Sequence, residues 1–296
     1  MNFNYTILWQ HPYSLLAYSS LSLCMILFYF NKHPLFRIIL FTLVIFFGWW
    51  AGRIEWIAIP LIVVFAWVFY CGMQAKTKTW RILASVATLV MAITIMFVNV
   101  PGIHNWQVVS KMSLTSDAIP YSMRFTFDKS LIGLFFLWFS PYSLANQGQW
   151  KGVLKVGFLT GILAIGILIP LSYALGYVRF EPKITSFFFL WAIHNLLFVS
   201  IAEEALFRGM IQKPLMLKWQ NVAYGPWAAL VITALFFGGA HYAGGTKYIL
   251  LATIAGLLYG YAFMRAKMIE ASILTHFMVN SVHFLFFTYP ALKSAF

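Results

Sequence analysis

The 296 residues are 62% hydrophobic and 9% charged, with a mean hydropathy of +0.82. Soluble domains carry roughly a quarter charged residues, so this composition excludes a water-soluble globule and predicts an all-α, polytopic membrane helix bundle. The net charge of +13 is spread in ones, twos and threes between apolar runs, which fits lipid headgroup anchoring and excludes nucleic acid as a partner.

A membrane helix needs about 20 apolar residues. In chain order, runs of this kind lie at Ser14–Phe30, Leu35–Gly52, Ile54–Met73 and Ile82–Val98. A more polar stretch over 99–130 follows and is expected to be loop. Further runs lie at Leu131–Ala145, Gly152–Val178, Ile184–Gln212, Ala223–Tyr242, Tyr248–Met264 and Ala271–Thr288. The expectation is therefore about ten spans (eight to ten). Residues 1–130 are expected to form an N-terminal extension of about four spans plus the polar loop, and 131–296 a second domain. The first dozen residues lack lysine and arginine, so the first run is expected to be a true span and not a cleaved leader. Cys24 and Cys71 both lie inside apolar runs and read as small fillers.

Basic residues alternate between the two ends of these runs. Lys32, Arg37, Lys76, Lys78, Arg81, the lysines at 151, 155, 213 and 218, Arg265 and Lys267 fall on one side. The positive-inside rule puts that side in the cytoplasm and both termini outside.

The chain holds seven acidic residues, and two of them, Glu203 and Glu204, sit together in an apolar run where each ionisable group costs roughly 2.5–3.5 kcal/mol to insert. On a helix Glu204 and Arg208 are four apart and can pair, whereas Glu203 points about 100° away and needs a partner from elsewhere. His241 closes the run Ala234–His241, and small residues before it allow close backbone approach. His276 and Asn280 share one helix face, with His283 about one turn of the same stripe further on. A carboxylate beside a histidine can hold and deprotonate water, and a His–Asn pair can donate to a developing oxyanion. Two histidines and a glutamate (Glu203, His241, His276) could equally hold zinc with water in the open position. The residues alone leave both arrangements open. There is no His-Glu-x-x-His helix and no Gly-x-Ser-x-Gly elbow.

Glu203-Glu204-x-x-x-Arg208, Phe237-x-x-x-His241 and His276-x-x-x-Asn280 resemble the three signature motifs of the CPBP family, which contains the CAAX prenyl protease 2 enzymes and the bacteriocin-processing, abortive-infection-like membrane proteases. The resemblance covers roughly residues 185–290 and implies that 131–296 is the catalytic domain, with its core in the last four to six spans. It implies an intramembrane endopeptidase, cutting a peptide or membrane-associated protein, in which Glu203 activates water with help from His241. Glu204 and Arg208 would support the site as an ion pair, His276 and Asn280 would bind the oxyanion, and Phe237 would pack it. It leaves the need for a metal open, and with it the label metalloprotease. It further implies a multi-pass protein of the bacterial inner membrane whose cavity opens to the cytoplasm, the side on which the basic residues put the Glu203 end of its helix. Two other readings are weighed against this one. The same fold could be a non-catalytic bacteriocin-immunity or partner-binding protein, or a proton-coupled transporter using the buried Glu and His as a relay.

Overall fold

The computed structural model describes residues 5–140, 144–146 and 148–295. Each apolar run of the sequence becomes a helix. After a single turn α1 (Thr6–Trp9) come two helical hairpins, α2 (Pro12–Phe30) with α3 (Pro34–Trp50) and α4 (Ala58–Gln74) with α5 (Lys78–Phe97). α2 and α3 both open on proline, which fits the first turn because its missing N–H has no intrahelical partner there. The remaining helices are α6 (Phe127–Phe139), α7 (Trp150–Ala174), α8 (Phe188–Lys218), α9 (Gly225–Ala240), α10 (Gly245–Ala266) and α11 (Ile269–Phe286). α9, α10 and α11 pack against α8, α7 packs on α10 and α11, and α6 wedges between α8 and the two N-terminal hairpins.

The expectation of about ten spans is corrected in number. Five described helices are long and apolar enough to cross a membrane: α2, α5, α7, α8 and the helix Tyr242–Ala266 that contains α10. α3, α4 and α9 are apolar but shorter. The run read as Leu131–Ala145 shrinks to the 13-residue α6, almost wholly buried in protein; residues 141–143 of that run lie outside the described residues. The bundle is an integral membrane one nonetheless. Rows of large apolar side chains face outward, such as Phe158, Leu159, Ile162 and Leu163 on α7 and Leu235 and Phe236 on α9. In water such patches would be an aggregation hazard.

Among the described residues, the stretch read as polar loop carries the departure from an all-α fold. Trp106–Met112 (β1) and Tyr121–Phe125 (β2) form an antiparallel pair, with Trp106 opposite Phe125 and Met112 opposite Tyr121. The alternation Tyr121, Met123, Phe125 buried against Ser122 and Arg124 exposed is the period-2 pattern of a half-buried strand. Asn105 accepts from the Phe127 N–H at 2.7 Å and donates to Asp128 at 3.0 Å, which ties the hairpin to the start of α6. A boundary at residue 130 would cut α6, and one apolar core runs from Leu8 to Ala291.

The hairpin, the 175–187 connection and the C-terminal segment after α11 are woven into a cap at one end of the bundle. Ile119 N–H donates to Ala291 O, Leu292 N–H to Tyr177 O and Glu181 N–H to Phe286 O, and Arg179 pairs with Asp117 at 2.9 Å. The opposite end carries the lysine-rich turns. There Arg37 donates to carbonyls at the C-terminal ends of α2 (Phe28) and α6 (Trp138), where a cation also meets the negative end of each helix.

Candidate active site

A cavity of about 540 Å³ lies between α7, α8, α10 and α11 beneath the cap. Glu203, Phe237, His241, His276, Asn280 and His283 all line it. Three stretches more than 30 residues apart thus converge on one space.

The two glutamates diverge as helix geometry requires. α8 changes its winding here: π-helical turns at His194–Ser200 and Ala205–Gln212 flank one α-turn, Ile201–Glu204. Such wide turns inside α-helices are frequent at functional sites. Glu203 faces the cavity; among the described residues its Oε2 has no hydrogen-bond partner, and it lies 3.9 Å from His241 Nε2. His241 Nδ1 is 2.7 Å from the Phe237 carbonyl, which can only accept. Nδ1 therefore carries the proton, and in the neutral ring Nε2 presents a lone pair toward Glu203. A water about 2.8 Å from each group would bridge this gap.

Glu204 faces the other way and is fully buried. It holds two partners. Its Oε2 is 3.0 Å from Arg208 Nε, as the four-residue spacing predicts, and its Oε1 is 2.9 Å from His276 Nδ1. The second contact was not legible in the spacing. It makes Glu204 the link between the first and third motifs, fixing the His276 tautomer and orientation. Tyr259 stacks on the same imidazole, with ring centroids 4.6 Å apart at 17°.

Arg208, also fully buried, lies 4.8 Å from the Phe237 ring centroid and donates from Nη2 to the Gly256 carbonyl at 3.0 Å. One turn later Gln212 Nε2 donates to the Gly260 carbonyl at 2.9 Å. Gly256 marks a close helix approach, since a Cβ there would stand 3.0 Å from Ala234 Cα. Phe237 packs between Arg208, His241 and Tyr259 and offers no reacting group.

Asn280 Nδ2 donates to Asn195 Oδ1 at 3.2 Å, and Ser200 Oγ donates to the same oxygen at 3.4 Å. Asn195 is buried, lines the cavity, and was not singled out by the motifs. His283 lines the cavity with Nε2 held at 3.2 Å by the Thr288 carbonyl. His194, also cavity-lining, bonds the Arg124 carbonyl at 2.9 Å and stacks on Phe125, which fastens the hairpin to α8. Burial pushes the phenols of Tyr177 and Tyr289 in the cap up to about 12, so both line the cavity as neutral hydroxyls.

The sequence offers Glu203, His241 and His276 as a zinc set, and the structure does not assemble it. Among the described residues no three His, Cys, Asp or Glu side chains come together as a metal-holding group. The cavity lies at the end of the bundle away from the lysine-rich turns: its exposed lining residues Ser122 and Ala243 belong to the cap end, and none of the lining comes from those turns.

Compared with known families, residues 185–282 match the model described as type II CAAX prenyl endopeptidase Rce1-like. No curated protein and no solved structure matches the chain. The matched segment holds all three motifs, with His241 opposite Glu203 and both Arg208 and His276 on Glu204. Over residues 185–282 this integral membrane protein is thus similar to the type II CAAX prenyl endopeptidases of the Rce1-like family, a family of proteases.

Proposed function

We propose that this protein is an intramembrane endopeptidase that hydrolyses a peptide bond with water activated by Glu203 and His241. The observation that carries the reading is the gap between them. An orphan, mostly buried carboxylate oxygen faces an imidazole lone pair at 3.9 Å on the wall of a cavity. Two acceptors so placed take both protons of one water and leave its lone pairs toward the scissile carbonyl. As the proton leaves for Glu203, charge builds on the carbonyl oxygen. The unspent Nδ2–H of Asn280 and the Nε2–H of a doubly protonated His276 would donate to it, with Glu204 as the counter-charge of that imidazolium. Exclusion of bulk water strengthens each of these interactions. The hairpin belongs to the catalytic unit in this reading, because Ile119, Tyr121 and Ser122 complete the cavity wall.

His241→Ala tests the reading directly. Cleavage of a fluorogenic peptide by the purified protein is expected to fall about 10²–10³-fold, within the range for losing a general acid–base partner, with an unchanged unfolding midpoint. Undiminished cleavage would sink the proposal.

Asn195 is assigned as a positioning residue. Asn195→Leu removes the acceptor that aims Asn280, and is expected to lower kcat by about 10-fold to 100-fold, less than the roughly 10²–10³ for losing an oxyanion donor outright. KM should hold, because the contact matters only once the oxyanion forms. A loss confined to KM, or one tracking a lowered unfolding midpoint, would reduce Asn195 to packing.

A further inference from the structure

The ten helices α2 to α11 run alternately between two ends, so every connection can be assigned to one end. The turns at 31–33, 75–77, 219–224 and 267–268, with the 140–149 connection and the helix turns beside them, make one end. Of the 20 lysines and arginines, eleven fall there against a single acid, Glu270. The cap end has eight, offset by Glu55, Asp117, Asp128 and Glu181, and much of its charge sits in the long 98–126 segment. Arg208 is buried between the two. Orientation follows the lysines and arginines of short connections close to the helix ends, which puts the first end in the cytosol.

The cavity belongs to the other end. Its walls reach Ile119–Ser122 of the hairpin, Tyr177 and Val178, Ala243 and Gly244, and Tyr289 and Pro290, all in the cap. Only Ser122 and Ala243 of the lining are exposed, so the mouth opens through the cap. Beneath the cavity, toward the lysine-rich end, lie the buried Glu204–Arg208 pair and the tightly packed Gly256 and Gly260 ladder.

We infer that the cavity faces the compartment opposite the cytosol and takes its peptide from that side. The substrate class is then a peptide segment already carried across the membrane, or the outer juxtamembrane stretch of a membrane protein. This rests on the proteolytic reading for the word substrate, while the orientation stands on charge and geometry alone.

The test is single-cysteine labelling of the full chain in intact cells, in a Cys24→Ala, Cys71→Ala background, with a membrane-impermeant maleimide. Ser122→Cys at the mouth is expected to label in intact cells at least ten-fold faster than Lys218→Cys, which should label only after permeabilisation. The reverse order, or equal labelling of both, overturns the inference. A phosphatase active only outside the cytosol, fused after Phe296, gives a second readout that needs no cysteine change; it should be active, and an inactive but accumulated fusion overturns the inference too. Neither measurement depends on catalysis, so a failure of the hydrolase reading would be seen separately, in the Glu203 and His241 variants.

Discussion

Glu203→Gln is expected to lower peptide cleavage by about 10³-fold or more and to leave the protein folded. Glutamine fills the same volume and can still hold a water, yet it cannot take its proton. General-base loss alone accounts for about 10²–10⁴. The effect should be near the upper part of that range because the site lacks a substitute. Glu204, the neighbouring carboxylate, is committed to Arg208 and His276. His241 remains, but its ring is then left as the lone base acting on that water. The unfolding midpoint should stay level or rise, since the change removes a mostly buried carboxylate whose Oε2 has no hydrogen-bond partner among the described residues and so relieves a desolvation cost. The measurement is cleavage by purified protein beside unfolding of the same sample. Retained cleavage would overturn Glu203 as base. Lost cleavage with a collapsed midpoint would show instead that Glu203 is structural.

The comparison of sequence and structure divides along a physical line. Helix positions were legible because a bilayer imposes long apolar runs, and all ten runs became helices. Span number was less legible, because hydropathy does not separate a lipid-facing helix from one buried in protein; α6 reads as a membrane run and is in fact packed on every side. The hairpin was missed because its alternation covers only five to seven residues per strand between Asn, Asp and Pro residues that read as loop. In the site, the i,i+4 logic found Glu204–Arg208, and the motifs found the residues that share its cavity. It missed Asn195 for a reason in the winding of α8. Eight α-helical steps place Asn195 about 80° around from Glu203, but each i→i+5 turn rotates less per residue. The π-helical stretch from His194 to Ser200 swings Asn195 back toward the Glu203 face. The Glu204–His276 contact joins two helices and has no local signal at all.

Arg208→Met is expected to destabilise the protein by about 3–5 kcal/mol, the usual cost of leaving one member of a buried ion pair without its partner. Both side chains are fully inaccessible and 3.0 Å apart, so no solvent can take over the lost charge. Glu204→Gln alone should be damaging in the same way, since it strands the guanidinium among Phe237, Tyr259 and the Gly256 carbonyl. Made together, the two changes remove both charges and keep the volume, and stability should return to within roughly 1 kcal/mol of the parent, because replacing a whole buried pair by neutral groups is often neutral or better. Activity should not return. The carboxamide that replaces the Glu204 carboxylate can still accept from His276 Nδ1, which preserves the ring's orientation, but it no longer supplies the negative charge that balances an imidazolium facing the oxyanion. The two readouts should therefore separate in the double variant, with the unfolding midpoint restored and kcat still low. If Arg208→Met is harmless, the pair contributes no stability of the kind argued here. If the double variant recovers full activity, His276 needs only a hydrogen-bond acceptor at Nδ1, and the role of Glu204 reduces to holding the ring.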